Sequence, residues 1–427
     1  MATVAGRTVT LVGAGVTTLT ATQAATGNYT QAAVSTTLTV ADRPDPTTDA
    51  SVVGGLQAQV DASVRFAQAQ QSNIRERLRQ QRYSRENVSS NGVSLNVGNG
   101  SGSGMSLSAS DATPDDLVRL PKGWGLWSAG AMTFGGRDSR LASEGFDFRS
   151  DGITVGADWR VTDNLLFGLA GGFGWNDTRM DEARSRLDAS QRSLSAYGLW
   201  RRGDHFFIDG MVGWGRLDFD ITRWSAIADA TGTAQRDGSQ AFGSLTVGYD
   251  HNSGGMSLTG YGRVDGSRSR LDAYREYGLG IYDLSYGRQT VENSGVAVGM
   301  EGSYLFAETS DQLRPYWMVE YRDAFENQSD VALNYVVMPV STDYTLGLRS
   351  YGDNALTYGA GLDMSIAPSW RLSVLFRREH AADQRANSSI GLMLSFSPTG
   401  RSSIATPTAL STPDAGGQST STGGAAE

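Results

Sequence analysis

The feature that most constrains this chain is a period-two alternation of apolar and polar residues, which recurs from residue 121 to residue 397. Within residues 165–176, leucine, phenylalanine and tryptophan alternate with glycine, alanine and asparagine. Residues 153–160 and 369–377 repeat the scheme with charged residues on the polar side. Successive side chains of a β-strand point to opposite faces. The pattern therefore predicts a long series of strands, each with one apolar and one polar face.

This alternation fits either a water-soluble β-sandwich or a membrane β-barrel. Three features favour the barrel. The strands exceed the ~5–6 residues of soluble sheets and often reach the ~9–11 that cross a bilayer at a tilt. Short and long connections alternate, and aromatic residues lie near strand ends, as membrane interfaces favour. The predicted short turns are 162–164, 203–204, 252–255 and 367–368, and the predicted long loops are 179–190, 222–236 and 380–387.

We predict an all-β fold, a 12-stranded antiparallel transmembrane barrel of the outer membrane. Twelve strands agree with the even number that single-chain bacterial barrels have. Residues 326–353 are ambiguous, since Val331–Val340 fits either an extension of the flanking strands or a fold within an outer loop. The predicted strands are 124–134, 145–160, 165–177, 191–202, 205–220, 236–250, 256–270, 290–305, 314–325, 354–366, 369–379 and 388–396. The charges predicted to point into the barrel are Asp158, Arg160, Glu301, Glu320, Arg322, Asp363, Arg371 and Arg377.

The composition argues against several kinds of site. The chain has no cysteine and so no disulfide, thiolate metal site or cysteine nucleophile. A formal net charge of −9 argues against a nucleic-acid partner. His205, His251 and His380 are scattered without the spacing of metal ligands. Neither a Gly-x-Ser-x-Gly elbow nor a Ser-x-x-Lys motif is present. We predict no catalytic, cofactor or metal site and no enzymatic activity.

A thin apolar stripe at helical spacing predicts a helix over residues 52–82. The stripe consists of Val60, Val64, Ala67, Ile74 and Leu78. Taken alone, it fits a soluble amphipathic helix or a short coiled coil equally well. The predicted domains are a Thr/Val/Ala-rich segment 1–40, a linker 41–120 with the helix and a Gly/Ser-rich connector, a barrel 121–397 and a disordered tail 398–427.

The beginning of the sequence lacks the apolar run of a signal peptide. We therefore expect the chain to be the C-terminal part of a longer protein; a start codon assigned too late is the alternative.

The strand series resembles the translocator domain of the autotransporters, the type V secretion family. The residues that carry the resemblance are Trp124–Gly130, Pro315–Arg322, Tyr358–Asp363 and the last predicted strand. The resemblance implies a monomeric barrel in outer-membrane lipid that anchors and exports an N-terminal passenger to the cell surface. It also implies that the helix threads the lumen, with Val60, Val64, Asn73, Arg75, Arg77 and Arg79 inside the barrel.

The last predicted strand resembles the signal by which the barrel-assembly machinery recognises outer-membrane strands. Ser389, Gly391, Leu394 and Phe396 fall at the spacing of that signal. In the family the aromatic residue normally ends the chain, whereas residues 397–427 follow it here. The resemblance implies the assembly machinery and periplasmic chaperones as partners.

Residues 1–40 resemble the second half of a bacterial immunoglobulin-like repeat. The residues that carry this resemblance are Thr18–Gln23, Asn28, Tyr29, Ala32 and Thr37–Val40. The segment is too short for a full sandwich of ~7 strands in ~100 residues, and a threonine-rich linker without a fold is the alternative. The immunoglobulin-like interpretation favours an adhesive passenger. The main rival function for the whole chain is a porin-like outer-membrane channel with an N-terminal plug helix.

Overall fold

The computed structural model describes residues 2–6, 8–40, 43–83, 90–96, 124–139, 143–180, 184–306, 313–326, 328–337, 344–349, 354–367, 370–381 and 387–396. The chain divides into two compact units, Met1–Asp49 and Ala50–Glu427.

The first unit consists of two antiparallel hairpins and a short 3-10 helix. The strands are β1 (Ala2–Ala5), β2 (Thr8–Leu11), β3 (Gly15–Gln23) and β4 (Ala32–Val40), and the 3-10 helix is Pro46–Thr48. Threonine and valine, which favour strands because of their β-branched side chains, fill β3 and β4. Thr18 lies opposite Thr37, and the hydroxyls of Thr20 and Ser35 are 2.9 Å apart.

The second unit begins with one long helix, α1 (Ala50–Tyr83), of 34 residues. Alanine, glutamine and arginine, which are good helix formers, occupy much of it. At ~1.5 Å per residue it is about 50 Å long. The helix has the predicted position and extends one to two residues further at each end. Among the described residues, no helix combines the length and the apolar character needed to cross a membrane.

All twelve predicted barrel strands are present, and the predicted fold class is confirmed. They form one antiparallel sheet in which each strand pairs with the next member of the series. These strands are β6 (Trp124–Arg137), β7 (Phe146–Thr162), β8 (Leu165–Met180), β9 (Ser185–Arg202), β10 (Phe206–Ser225), β11 (Ala230–Ser253), β12 (Met256–Leu271), β15 (Gln289–Tyr304), β16 (Leu313–Glu326), β19 (Asn354–Ala367), β20 (Trp370–Ala381) and β21 (Asn387–Phe396).

A thirteenth strand, β5 (Ser90–Asn96), joins the first and last members of this sheet. It pairs in parallel with β6, with Ser90 opposite Trp127 and Asn96 opposite Thr133, and it also contacts β21. These residues were predicted to belong to the connector. Only Val93 and Leu95 are apolar in this segment, and two alternating apolar residues are too few to distinguish a strand from a linker.

The predicted long loops at 179–190 and 222–236 are wrong. Most of these residues extend the strands: β8 ends at Met180 and β9 begins at Ser185, while β10 ends at Ser225 and β11 begins at Ala230. The period-two pattern continues through these extensions, but with the apolar residues on the opposite side. The predicted short turns at 162–164, 203–204 and 252–255, in contrast, do connect strands at the other end of the barrel, and part of the fourth, 367–368, lies outside the described residues.

A separate four-stranded sheet lies between the barrel strands in sequence. Its strands are β13 (Tyr274–Arg275), β14 (Leu284–Tyr286), β17 (Gln328–Tyr335) and β18 (Tyr344–Arg349). A 3-10 helix, Gly280–Tyr282, connects β13 to β14. At Gly278 the backbone has φ +111°, and a Cβ there would lie 2.8 Å from the carbonyl oxygen of Thr231, so the turn requires glycine. The ambiguous segment 326–353 therefore supplies strands outside the barrel wall.

Candidate functional site: the lumen and its helix

The outer face of the barrel carries a broad apolar band. On β10, for example, Val212 and Trp214 point outward and are 67% and 53% exposed. Near the short turns the rings of Trp124 and Trp159 stack with centroids 6.1 Å apart. Along β8 the band runs from the short-turn end to Trp175, about ten residues, or roughly 25 Å at the usual strand tilt. This height matches the hydrocarbon thickness that outer-membrane barrels cover.

Beyond this band the outward face of the strands is polar and the inward face is apolar, the reverse of the arrangement in the band. On β10 the outward residues after Trp214 are Arg216, Asp218 and Asp220, and the inward ones, beginning with Leu217 and Phe219, are buried and apolar. In the band itself many inward residues are polar or glycine, and a second apolar cluster of wall side chains packs around Ile74 and Leu78 of the helix. We call the region beyond the band the collar. It comprises helix residues 50–66 together with 146–150, 176–190, 216–240, 271–291 and 328–349, as far as these are described.

The first half of α1 passes through an apolar core in the collar. Val52, Leu56, Val60 and Val64 recur every four residues, which puts them on one face of the helix, and each is at most 2% exposed. They belong to one core with the apolar side chains of β10, β14 and β17. Val60 and Val64 were predicted inside the barrel. The stripe begins eight residues earlier than predicted, at Val52.

Polar contacts fix this half of the helix as well. The side chain of Gln57 donates to the carbonyl oxygen of Arg349 (2.9 Å), and the Arg236 guanidinium donates to Gln59 (2.9 Å). The Arg223 guanidinium makes two bonds, of 2.8 and 2.6 Å, to the buried Glu276 carboxylate.

Tyr286 extends this collar network. Its hydroxyl donates to an oxygen of the Glu276 carboxylate at 2.9 Å. Burial raises the pKa of Tyr286 well above its usual value, and the adjacent Glu276 carboxylate adds to the effect. The hydroxyl therefore stays protonated and keeps donating.

The second half of α1 lies in the lower lumen, which comprises helix residues 67–83 and the inward side chains of 154–174, 191–213 and 242–269. Its main anchor is the ion pair between Arg77 and Asp158. Two bonds, of 2.7 and 3.0 Å, join the guanidinium to the carboxylate, and both side chains are nearly inaccessible to water. The hydroxyl of Tyr197 donates to the same carboxylate at 3.1 Å. Both members of this pair were predicted to face the lumen.

The other predicted helix residues are also inside the barrel. Asn73 is buried and donates to the Thr154 hydroxyl at 2.8 Å. Arg79 pairs with Glu76 of the same helix through bonds of 3.0 and 2.6 Å. Arg75 interacts electrostatically with a cluster on the wall formed by Arg263, Asp265 and Glu320.

Arg82, at the end of the helix, lies between two strands of the wall. It is 3.4 Å from Asp209 and 3.7 Å from Glu301. Asp209 was not singled out by the sequence analysis, although its position in β10, two residues from the buried Phe207 and Met211, places it on the inward face.

The remaining predicted inward charges mostly pair within the wall. Glu320 accepts two bonds of 2.7 Å from Arg263, and Arg322 donates to Asp265 at 2.8 Å. Arg160 donates to the side chain of Gln81 at 2.7 Å. The half-buried residues Asp363 and Arg377 lie on β19 and β20, and Arg371 lies opposite Ser365 in the same pair of strands.

Lumenal aromatic rings cover glycines of neighbouring strands. A Cβ at Gly248 would lie 2.3 Å from the Phe207 ring, and one at Gly361 would lie 2.3 Å from the Tyr316 ring. Such distances are below any real van der Waals contact, so these positions allow only glycine without movement of the ring. The rings thereby fill the lumen beside the helix.

The four residues of the predicted assembly signal lie on β21. Ser389, Gly391, Leu394 and Phe396 are opposite residues of β20 in the register of the sheet. On its other side β21 contacts β5. The assembly role of these residues stays a prediction. Within the part of the chain that the structure describes, no group of three or more histidine, aspartate or glutamate side chains could hold a metal ion.

An apolar band around a polar lumen that encloses a helix defines an outer-membrane β-barrel with an occupied pore. The model of the family described as "Autotransporter beta-domain" matches residues 126–376, and the chain belongs to this family. It is an outer-membrane translocator of type V secretion. In barrels of this class the short turns face the periplasm, so the collar lies at the cell surface.

Two curated relatives match parts of the chain. "Outer membrane protein B" of Rickettsia conorii is 22% identical over 289 residues, which cover 62% of this chain and 17% of the relative. "Uncharacterized protein in trpE-trpG intergenic region" of Pseudomonas putida is 26% identical over 212 residues, covering 47% and 34%. The chain thus spans only 17% and 34% of the length of these relatives.

Solved translocator domains are also similar. That of the autotransporter NalP from Neisseria meningitidis is 19% identical with a TM-score of 0.49, covering 64% of this chain and 88% of that one. The beta domain of the Bordetella autotransporter BrkA is 12% identical with a TM-score of 0.46, covering 64% and 99%.

Proposed function

We propose that the barrel anchors and exports a passenger joined to the N-terminus of α1. The observation that carries this proposal is the direction of the helix in the lumen. Its first residues contact the collar, where Ser51 accepts a bond of 3.3 Å from Arg223. Its last residues lie near the short turns, where Arg82 meets Asp209. A helix that runs in this direction has its N-terminus on the cell-surface side of the barrel.

The contacts that hold the helix in the lumen favour export over the alternative of a porin-like channel. A plug that opens for solutes must leave the lumen or shift within it at a low free-energy cost. Here α1 is fixed along its whole length, by apolar packing in the collar and by the Arg77–Asp158 pair below it. Breaking a buried ion pair by removing one partner costs about 3–5 kcal/mol. The helix has the features of a permanently retained linker.

The passenger proposed for this barrel acts in adhesion, and residues 1–40 form the end of its stalk. Two threonine- and valine-rich hairpins support this assignment, since they have the strand composition of an immunoglobulin-like repeat. Assembly of the barrel uses the barrel-assembly machinery and periplasmic chaperones, with Ser389, Gly391, Leu394 and Phe396 as the recognised residues. Support for this role comes from the position of β21 at the end of the antiparallel series, where an edge strand can add to another sheet.

Surface display of a tag tests the export proposal. A signal peptide and an epitope tag are placed before Met1, and intact cells are stained with an antibody to the tag. We expect staining without permeabilisation, and loss of the tag when intact cells are treated with protease. A matched chain that lacks residues 370–396 cannot complete the barrel and should remain unstained. Detection of the tag only after lysis, with a correctly inserted barrel, would contradict export.

A further inference from the structure

Two arginines lie directly opposite each other on the outward face of the barrel. Arg192 of β9 pairs in register with Arg216 of β10, and both side chains are exposed. Directly opposite residues of an antiparallel pair have Cβ atoms about 5 Å apart, and like charges in this position destabilise a sheet. An anion held between the two guanidinium groups would remove the repulsion.

Both arginines lie at the cell-surface edge of the apolar band. On β9 the last outward residue of the band is Leu194, two residues from Arg192, and on β10 it is Trp214, two residues from Arg216. On the neighbouring β8, the exposed ring of Phe173 lies in register with Arg192. Because tryptophan and arginine side chains at the edge of such a band meet the lipid headgroups, the two guanidinium groups lie at headgroup level in the outer leaflet.

Neither arginine forms an ion pair within the part of the chain that the structure describes. Arginines farther from the band on the same face do, each with an aspartate two residues away on its own strand. Arg216 has Asp218 at this separation, but its guanidinium lies over the Trp214 ring instead, 6.0 Å from the centroid, and is thus directed toward the membrane. The pairs farther from the band are Arg149–Asp151 at 2.9 Å, Arg179–Asp177 at 3.2 Å and Arg186–Asp188 at 2.8 Å.

Two further residues continue this line across the sheet. Arg216 lies opposite Ser239 of β11, and Ser239 lies opposite Arg270 of β12, which is exposed. We call Arg192, Arg216, Ser239 and Arg270 the arginine row. With strands ~4.8 Å apart, the row is about 14 Å long. On β12 Arg268 separates Arg270 from the band, so the row rises from the edge of the band into the headgroup layer.

From this arrangement we infer that the arginine row binds the phosphorylated headgroup of a lipid in the outer leaflet. Guanidinium groups bind phosphate oxygens through paired, charge-assisted hydrogen bonds. A phosphate between Arg192 and Arg216 offsets the repulsion between them, while the acyl chains of the same lipid lie along the apolar band beside Leu194. Polar or anionic groups farther along the headgroup contact Ser239 and Arg270. This lipid site does not depend on what the barrel exports.

Lipid binding to the full chain in a non-ionic detergent tests the site. The probes are diphosphorylated lipid A and the same lipid after removal of its phosphates, and native mass spectrometry gives the apparent Kd of the first bound lipid. We expect the phosphorylated lipid to bind about tenfold more tightly or better, and the double variant Arg192→Gln with Arg216→Gln to lose most of this preference. The matched control, Arg149→Gln with Arg186→Gln, removes two paired charges from the same face and should change the preference less than about twofold.

The source of the phosphate is tested in the same assay. Heat-modifiable migration establishes first that each variant is folded. Equal Kd values for the two lipids, or an unchanged preference in the Arg192 and Arg216 double variant, would overturn the lipid site. Displacement of the lipid by millimolar sodium phosphate would show that a soluble anion occupies the row, and would overturn it as well.

The like-charge pair also predicts a stability effect that changes sign with the lipid. In phosphatidylcholine bilayers, where choline neutralises each phosphate, Arg192→Gln relieves repulsion and should raise the guanidinium midpoint of unfolding. In bilayers that also contain diphosphorylated lipid A, the variant loses bound ligand and should have a lower midpoint than the parent chain. A shift of the same sign in both bilayers would contradict the arginine row as a phosphate site.

Discussion

The ion pair between Arg77 and Asp158 offers the sharpest test of how the helix is held. Its two bonds, of 2.7 and 3.0 Å, are shielded from water, and the accessible fractions of the two side chains are 2% and 0%. Arg77→Met leaves the Asp158 carboxylate in the lumen with the hydroxyl of Tyr197 as a remaining donor. We expect each of the single variants Arg77→Met and Asp158→Asn to lower the free energy of unfolding by about 3–5 kcal/mol.

The double variant distinguishes a specific pair from two independent losses. Because removal of both charges leaves no uncompensated ion, Arg77→Met with Asp158→Asn should cost less than the sum of the single changes, with a coupling of about 2–3 kcal/mol. The assay is reversible folding into phospholipid bilayers, titrated with guanidinium and followed by tryptophan fluorescence.

A surface pair provides the control for this cycle. Arg186 and Asp188 are 2.8 Å apart but remain about half exposed, so their coupling should be below about 1 kcal/mol. Additivity at Arg77 and Asp158, or a coupling no larger than that of the surface pair, would refute the buried anchor.

Three further predictions concern the barrel and its pore. Gly248→Ala, whose Cβ would lie 2.3 Å from a phenylalanine ring, should lower the fraction of heat-modifiable folded barrel. The control Gly260→Ala, whose Cβ would have no atom within 4 Å, should leave that fraction unchanged. Equal effects of the two variants would contradict the close packing at Gly248. Deletion of residues 50–83 should raise single-channel conductance in planar bilayers, and unchanged conductance would mean that the helix does not occlude the pore. Val212→Arg puts a charge into the apolar band and should impair insertion by up to about 2–4 kcal/mol. Asp218→Arg, outside the band, should insert normally, and equal impairment would place the boundary of the band elsewhere.

The barrel was predictable because each strand repeats one local rule. Alternation specifies strands without any knowledge of the partner strand, and all twelve were found with ends within six residues of the predicted ones. The collar was missed because the same alternation continues past Trp214 with its faces exchanged, and periodicity alone does not say which face is inward. The length of the alternating runs was the available signal: β10 and β11 extend well beyond the ~9–11 residues that cross a bilayer.

The sequence predicted several of the residues that lie in the lumen, but not which of them contact each other. Arg77 and Asp158 were both expected in the lumen, yet they are 81 residues apart in sequence. Their contact depends on the rotation of the helix about its axis and on the register of β7, which no local pattern encodes. Asp209 and Arg263 were missed for a related reason, since a charged residue on an inward face looks like any other polar position.

The extended strands also set how far from the lipid a surface-attached protein begins. Arg223, which contacts Ser51 near the start of α1, lies nine residues beyond Trp214 along β10. At the usual rise and tilt, nine residues correspond to a height of roughly 20–25 Å. Headgroups extend only about 5–8 Å beyond the hydrocarbon on each side. The N-terminus of α1 therefore lies above the polar layer of the membrane, at a height that the length of the barrel strands determines.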